Sequence, residues 1–212
     1  DSYEATDTEG GYRHYKCTEC GDEYSYETDP MVYTVNPKTG EPVNTSLAAN
    51  PYLPTFERMP DNEMHVFWSK DDEEWRVYTT GSHDSYEEDK WCGDDVICWS
   101  APVYDLTDWR YEGTLREGGW YFASDFAYDL QTDQAIMLAF PFFGNEDEYN
   151  FWVNGRSTPD AYFDTPLCEG GIPGADDTMI WDPAIYIEDD GSIYYVGDQT
   201  DEVKHTQLTK LN

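Results

Sequence analysis

The segment that most restricts the fold is residues 184–197, which read AIYIEDDGSIYYVG. Each half alternates in polarity and is rich in isoleucine and tyrosine, a pattern typical of β-strands with one buried face. The DDG sequence between the halves is a turn signal of the kind that joins two antiparallel strands. These residues therefore predict a β-hairpin.

Strand-like runs of the same kind recur from Asn50 onward, with almost no helical periodicity between them. The runs are MHVFW, WRVYTTG, DVICWSA, WRYEG, WYFASDFAYD, AIMLAFPFF, YNFWV, AIYIE and SIYYVG. Turn signals separate them, which indicates an all-β sandwich, barrel or propeller. Pairs of strands end in tight Asp/Gly turns, and aromatic residues begin or end most strands. Both features favour the propeller.

The charge of the chain restricts its partners. Lys and Arg total 12 and Asp and Glu total 45, which gives a net charge of −33. Such a surface repels nucleic-acid phosphates and anionic membranes, so we expect direct binding to neither. The acidic residues occur in short groups, as on a solvated protein face, and no apolar run is long enough to span a bilayer. We expect an extracellular or cell-surface protein.

The first 36 residues differ from the rest. Cys17 and Cys20 form a CxxC sequence within YRHYKCTECGDEYSYE, where two short polar-aromatic strands flank the cysteines. One CxxC is half of a zinc ribbon and lacks its second half, so residues 1–36 are predicted to be the tail of a preceding small β module with a Cys-containing hairpin. Residues 37–48 are rich in turn-forming residues and are predicted to be a linker, which leaves 49–212 as the propeller portion.

Five motifs in this last region occur in the order found in one enzyme family. They are ANPYLPTFERMPDNEMHVF (49–67), RVYTTGSHD (76–84), VICWSAPVYDLTDWRYEG (96–113), FASDFAYD (122–129) and WDPAIYIEDDGSIYYVG (181–197). Together they resemble glycoside hydrolase family 43, especially its arabinofuranosidase and β-xylosidase-like branch. The resemblance implies a five-bladed β-propeller that hydrolyses arabinofuranosyl or xylosyl residues of plant polysaccharides with inversion at the anomeric carbon.

The resemblance also assigns catalytic carboxyl groups. The family uses an Asp general base, a second Asp that tunes the pKa and orientation of the acid, and a Glu general acid. By position, Asp61 in MPDNE matches the base and Asp182 in WDPAIYI matches the tuning residue. Inversion needs an ionised carboxylate to take a proton from water and a protonated carboxyl on the other side of the sugar, roughly 6.5–9.5 Å away. A third carboxylate raises the pKa of the acid through like-charge repulsion.

Substrate contacts are expected from four further residues. His83 and Asp84 lie in the GSHD sequence, which in the family borders the pocket. Trp99 offers an aromatic ring to the apolar face of a sugar. Asp125 occupies the position of the aspartate in the family's APD sequence.

The nominated residues also have plain structural interpretations. Asp61 follows Pro60 and suits a turn, and Asp182 suits a cap on the hairpin. A histidine such as His83 is more often a satisfied turn residue than a ligand, and a tryptophan such as Trp99 more often packs in a core.

The sequence departs from the family pattern at three places. PDGEP reads PDNEM, APD reads ASD, and no segment after Gly197 matches the general-acid glutamate. A propeller blade takes about 40–50 residues, so residues 50–212 provide three to four blades of five. We therefore expect the N-terminal portion of a longer enzyme whose further domains supply the acid.

Two alternatives follow from these departures. One is a non-catalytic propeller that binds polysaccharide or oligosaccharide, and the other is a structural segment of a cell surface. The resemblance implies no required cofactor. It allows a calcium ion on the propeller axis, for which the sequence shows no evident set of ligands.

Overall fold

The chain is all-β in a computed structural model that describes residues 11–16, 18, 20–28, 33–44, 52–54, 56–85, 93–119, 121, 123–141, 149–172, 180–199 and 205–211. Its strands are β1 (Gly11–Lys16), β2 (Glu23–Thr28), β3 (Tyr33–Val35), β4 (Pro42–Asn44), β5 (Glu63–Ser69), β6 (Glu74–Ser82), β7 (Asp95–Pro102), β8 (Arg110–Glu117), β9 (Asp125–Asp129), β10 (Gln134–Ala139), β11 (Asn150–Val153), β12 (Thr165–Pro166), β13 (Ile180–Ile187), β14 (Ile193–Gln199) and β15 (His205–Lys210). These strands confirm the predicted all-β class. No helix among the described residues has the length and apolar character needed to cross a bilayer.

The chain divides into two compact units. The first comprises Asp1–Pro54 and Pro102–Trp109. It contains the hairpin predicted around the CxxC sequence, in which β1 pairs antiparallel with β2, and Cys20 is exposed. Cys17 lies outside the described residues. The strands β3 and β4 also pair antiparallel, so the predicted boundary after residue 36 falls within a hairpin. The three-part domain division stays a prediction.

The second unit comprises Thr55–Ala101 and Arg110–Asn212 and contains three successive sheets. The first sheet has the order β5-β6-β7-β8, the second β9-β10-β11-β12 and the third β13-β14-β15. Each begins with an antiparallel hairpin at a turn that the sequence predicts, namely DDEEW, DLQTDQ and EDDGS. Neighbouring strands in each sheet are therefore consecutive in the chain.

The hairpin turns have the residue types that their backbone requires. Each contains a left-handed residue: Glu73 (φ 54°), Asp133 (φ 56°) and Gly191 (φ 84°). Side chains complete the turns where the strands end. The Asp129 carboxylate accepts hydrogen bonds from the Gln131 amide at 2.9 Å and the Thr132 hydroxyl at 2.6 Å. These local bonds explain why Asp and Gly mark the turns in the sequence.

The three sheets pack face to face, with the second sheet in the middle. Alternate residues of β10 belong to different cores, because Ala135 and Met137 pack towards the first sheet while Ile136 and Leu138 pack towards the third. This alternation follows from the two-residue period of a strand. The second sheet is therefore buried on both faces, as its apolar sequence AIMLAF indicates.

Basic residues in the first sheet offset part of the negative charge. Arg110 in β8 forms a two-pronged ion pair with Asp72 in the β5–β6 turn, with Nη1–Oδ1 and Nη2–Oδ2 distances of 3.0 and 2.8 Å. The hydrogen bonds from Arg110 lower the pKa of Asp72 to about 2. Because the folded protein favours the ionised carboxylate, this stabilisation is complete above the unfolded pKa and is lost as the pH falls towards 2.

We predict that Asp72→Asn lowers the free energy of unfolding at neutral pH by about 1 kcal/mol, since the pair is partly exposed and screened by solvent. The difference from the unsubstituted protein should shrink as the pH falls below about 4. Urea unfolding across this pH range measures both quantities. A loss of stability that is the same at every pH would contradict the assignment.

Candidate active site

The first strand of each sheet is preceded or interrupted by a non-glycine residue in the left-handed region. These residues are Asp61 (φ 51°), Ala123 (φ 41°) and Asp182 (φ 48°). Asp and Asn adopt this conformation more readily than most residues. The backbone conformation alone can therefore explain why an aspartate occurs at positions 61 and 182. Ala123 adopts it without a polar side chain. The carboxyl groups of the two aspartates are therefore not required by this conformation.

Asp61 lies on a segment that is tightly packed against β6. A Cβ atom on Gly81 would lie 2.9 Å from the Pro60 carbonyl oxygen and 3.0 Å from the Asn62 Cα, so only glycine permits this close approach. The Asn62 side-chain amide also donates a hydrogen bond of 2.8 Å to Thr79 Oγ1. The GSHD motif thus supplies the glycine against which the Asp61 segment is fixed, while the Asp61 residue itself is exposed.

Asp84 is electrostatically coupled to Asp61. Its amide donates a hydrogen bond of 2.8 Å to the Arg58 carbonyl oxygen, which places it beside the same segment. Partial burial raises the pKa of Asp84, and the negative charge of Asp61 raises it further, whereas Arg58 and His83 lower it. The structure therefore brings together two of the predicted site residues.

His83 is held between two carboxylates. Its Nδ1 atom lies 3.0 Å from Asp95 Oδ1 and its Nε2 atom lies 3.4 Å from Glu57 Oε1. The indole N–H of Trp99 donates to Glu57 Oε2 at 2.8 Å. Trp99 is only 8% exposed and packs against the more accessible ring of Tyr111, with centroids 5.2 Å apart. Among these side chains, Tyr111 presents the larger open aromatic surface.

Asp125 connects the first strands of all three sheets. It is 5% exposed, and its Oδ1 atom accepts a hydrogen bond of 2.7 Å from its neighbour Phe126 N–H and lies 2.9 Å from His65 Nε2 in β5. Its Oδ2 atom accepts a hydrogen bond of 2.8 Å from the Ile185 amide in β13. Both oxygens are already engaged by the protein. The structure thus gives this predicted substrate-binding residue a position between sheets.

Glu63 is a residue of this site that the motif comparison did not nominate. Its carboxylate, His65 and Asp125 each offer an oxygen or nitrogen atom within 4.8 Å of the others. Burial raises the pKa of Glu63, the negative charge of Asp125 raises it further, and His65 lowers it. The available signal was the spacing of Glu63 and His65, because residues two apart on a strand face the same side.

Asp182 lies on an irregular part of β13. The pairing with β14 is regular up to Ala184 and resumes at Trp181 after a register shift, which is the pattern of a β-bulge. Asp182 is exposed, whereas the following Pro183 is buried. Bulges often re-aim a side chain next to an active site. Because β13 contacts β9, the bulge lies near the strand that carries Asp125.

The cluster of Glu63, His65 and Asp125 is the one group of three potential metal ligands within the described parts of the chain. It does not suit calcium, which takes six to eight oxygen ligands. Here only two side chains provide oxygen, and those of Asp125 already accept backbone hydrogen bonds. The calcium ion that the resemblance allows stays a prediction.

Comparisons with known proteins give partial matches. No family model matches the chain. A stretch of 66 residues, 31% of this chain, is 50% identical to a protein of Thermoclostridium stercorarium named xylosidase/arabinosidase. This stretch covers 13% of that protein.

Two solved structures match parts of the chain. An exo-β-1,3-galactanase from Clostridium thermocellum matches 86% of this chain at a TM-score of 0.51 and 14% identity. An endo-1,4-β-xylanase from Bacteroides thetaiotaomicron matches 73% at a TM-score of 0.47 and 15% identity. The matched regions are 38% and 47% of those chains, so this chain spans less than half of either. The galactanase similarity shows a shared fold.

We predict that Asp125→Asn destabilises the protein by roughly 2–4 kcal/mol, because the asparagine amide group cannot accept all the hydrogen bonds that the carboxylate accepts. The matched control is Asp108→Asn, since Asp108 is exposed. Urea unfolding of both variants measures the difference. Equal stability of the two variants would show that Asp125 does not hold the sheets together.

Proposed function

We propose that the chain is part of an inverting glycoside hydrolase of family 43 type that acts on arabinofuranosyl or xylosyl residues of polysaccharides. The observation that carries this proposal is the group of carboxyl residues near the beginnings of β5 and β9. Two of them, Glu63 and Asp84, have raised pKa values. Carboxyl groups with raised pKa values are typical of sites that carry out acid–base catalysis.

The sequence relative supports the substrate class. The protein of T. stercorarium that shares 50% identity over 66 residues is named for activity on xylosides and arabinosides. The structural similarity to the galactanase supports the fold and does not indicate which sugar is the substrate.

Within this proposal, Asp61 activates water and Asp182 tunes the acid, as the motifs predict. Asp84 lies beside the Asp61 segment, where partial burial raises the pKa of Asp84 and the negative charge of Asp61 raises it further. His83 faces the same pair and lowers the pKa of Asp84. The general-acid glutamate belongs to a further segment of the enzyme, because none of the described motifs matches it.

The exposed outer faces of the sheet stack support a closed five-bladed propeller. Trp75 on the first sheet is 53% exposed, and Tyr186 and Leu208 on the third sheet are 63% and 67% exposed. The faces that the three sheets turn towards one another are apolar and covered. Two further sheets would cover both outer faces and complete five blades, which agrees with the limited share of each related structure that this chain matches.

The charge of −33 supports a place outside the cell or on its surface, with a neutral polysaccharide or oligosaccharide as the partner. A sugar lacks the phosphate charges that this surface repels. No cofactor takes part in the proposed reaction.

The test is hydrolysis of 4-nitrophenyl α-L-arabinofuranoside and β-D-xyloside by the full chain and by Asp61→Asn, which removes the carboxylate proposed to activate water. A nitrophenolate leaves without needing a proton, so hydrolysis of these substrates does not depend on a general acid. We expect the substitution to reduce kcat/KM by about 100-fold or more. Asp189→Asn, at an exposed aspartate in the turn between β13 and β14, is the matched control and should retain activity.

Proton NMR of the first product should show inverted anomeric configuration. No hydrolysis of either substrate would contradict the proposed enzyme. If the chain then still bound xylo- or arabino-oligosaccharides by calorimetry, the alternative of a non-catalytic carbohydrate-binding propeller would stand in its place.

A further inference from the structure

The imidazole ring of His65 in β5 is held in one orientation by its neighbours. Its Nε2 atom lies 2.9 Å from Oδ1 of the buried Asp125. The rings of Phe67 and Phe126 flank it, with centroids 6.3 and 6.1 Å from the imidazole centroid. Both phenylalanines belong to the core between the first and second sheets. Turning the ring would therefore break the contact with Asp125 or disturb this core.

The second ring nitrogen of His65 is left for a ligand. Because a carboxylate oxygen only accepts hydrogen bonds, the proton between His65 and Asp125 is assigned to Nε2. In the neutral ring, Nδ1 is then an acceptor. Within the described residues no group hydrogen-bonds to Nδ1, and 34% of the side chain is exposed. His65 thus offers a fixed acceptor to a group that carries an O–H or N–H.

A buried hydroxyl group on the same face of the first sheet also lacks a protein partner. Thr80 pairs directly with Glu63, two residues before His65, so these side chains share the face that turns towards the second sheet. Thr80 is fully buried, and no described residue hydrogen-bonds to its Oγ1 atom. A buried hydroxyl of this kind indicates a bound water or a polar ligand group. It is an observation independent of the His65 ring.

The Asp125 carboxylate itself is used within the protein. Its two oxygens accept backbone hydrogen bonds from Phe126 and Ile185, besides the contact with His65. The substrate contact that the sequence predicts for Asp125 can therefore be made by the ring that Asp125 holds.

His65 lies further along β5 than the residue proposed to activate water. Asp61 comes four residues earlier, and four residues of extended chain span at most about 13 Å. One pentose ring fits within that length with a hydrogen-bonding contact at each end. When the anomeric carbon faces the water at Asp61, the hydroxyl group on the opposite side of the ring is directed along β5 towards His65.

We propose that His65 is a substrate-binding residue that recognises the hydroxyl group farthest from the anomeric carbon of the pentose. This hydroxyl donates a hydrogen bond to Nδ1 while Nε2 stays bound to Asp125. In a xylosyl residue the hydroxyl is on C4, and in an arabinofuranosyl residue it is on C5. A sugar that is extended at this oxygen has no hydrogen to donate, so the site selects terminal residues. This inference rests on the proposed function.

Two substitutions separate this role from a structural one. A glutamine amide nitrogen can take the place of Nε2, and an asparagine amide group the place of Nδ1. His65→Gln therefore keeps a donor for Asp125 and removes the acceptor for the sugar, whereas His65→Asn does the opposite. We expect His65→Gln to unfold near the temperature of the unsubstituted protein and to lose about 10- to 100-fold in kcat/KM on the nitrophenyl glycoside. His65→Asn should unfold at a lower temperature.

Deoxy substrates provide a readout that a structural role would not move. The pairs are 4-nitrophenyl β-D-xyloside with its 4-deoxy analogue and 4-nitrophenyl α-L-arabinofuranoside with its 5-deoxy analogue. The unsubstituted protein should prefer the hydroxylated member of the pair by about 10- to 100-fold in kcat/KM. In His65→Gln this preference should fall to about 2-fold or less. His14→Gln in β1 is the matched control and should keep the full preference.

The outcomes distinguish this inference from the proposed function. A His65→Gln variant that keeps the full activity and the full preference for the hydroxylated substrate would overturn the inference and leave the proposed enzyme intact. So would an unsubstituted protein that hydrolyses both members of a pair equally well. An unsubstituted protein that hydrolyses neither glycoside would overturn the proposed function, and the role of His65 with it.

Discussion

The buried carboxylate of Asp125 is the interaction on which the arrangement of the second unit depends. It belongs to β9, lies 2.9 Å from His65 in β5 and accepts a hydrogen bond from Ile185 in β13. A carboxylate that is almost fully buried is costly unless its oxygens are occupied, and here both of them are. Its hydrogen bonds therefore fix how far apart the three first strands can lie. The apolar cores behind them fill the space that remains.

The candidate site follows from this arrangement, because each sheet repeats one plan. A first strand leads into a tight hairpin, and a left-handed residue marks the strand's beginning in all three sheets. The repetition brings equivalent positions of neighbouring sheets together at one end of the stack. Carboxyl residues occupy those positions in the first and third sheets, and Asp125 lies between them. In this way a repeated fold places the carboxyl residues of distant sequence motifs at the beginnings of neighbouring strands.

The sequence predicted the strands and turns well, because alternation and Asp/Gly turns are local signals. The AIYIE–DDG–SIYYV hairpin forms as those signals indicate. The contacts of the site are non-local. Asp125 is buried because of the strands that pack beside β9. Trp99 is largely covered because Tyr111 packs against it.

The most direct test of this account is a crystal structure of the protein with a bound pentose or pentose oligosaccharide. The account predicts the sugar at the beginnings of β5, β9 and β13, in contact with Asp61 and Asp182. A sugar bound elsewhere, for example on the exposed rings of Trp68 and Trp75, with this region holding only water, would contradict it.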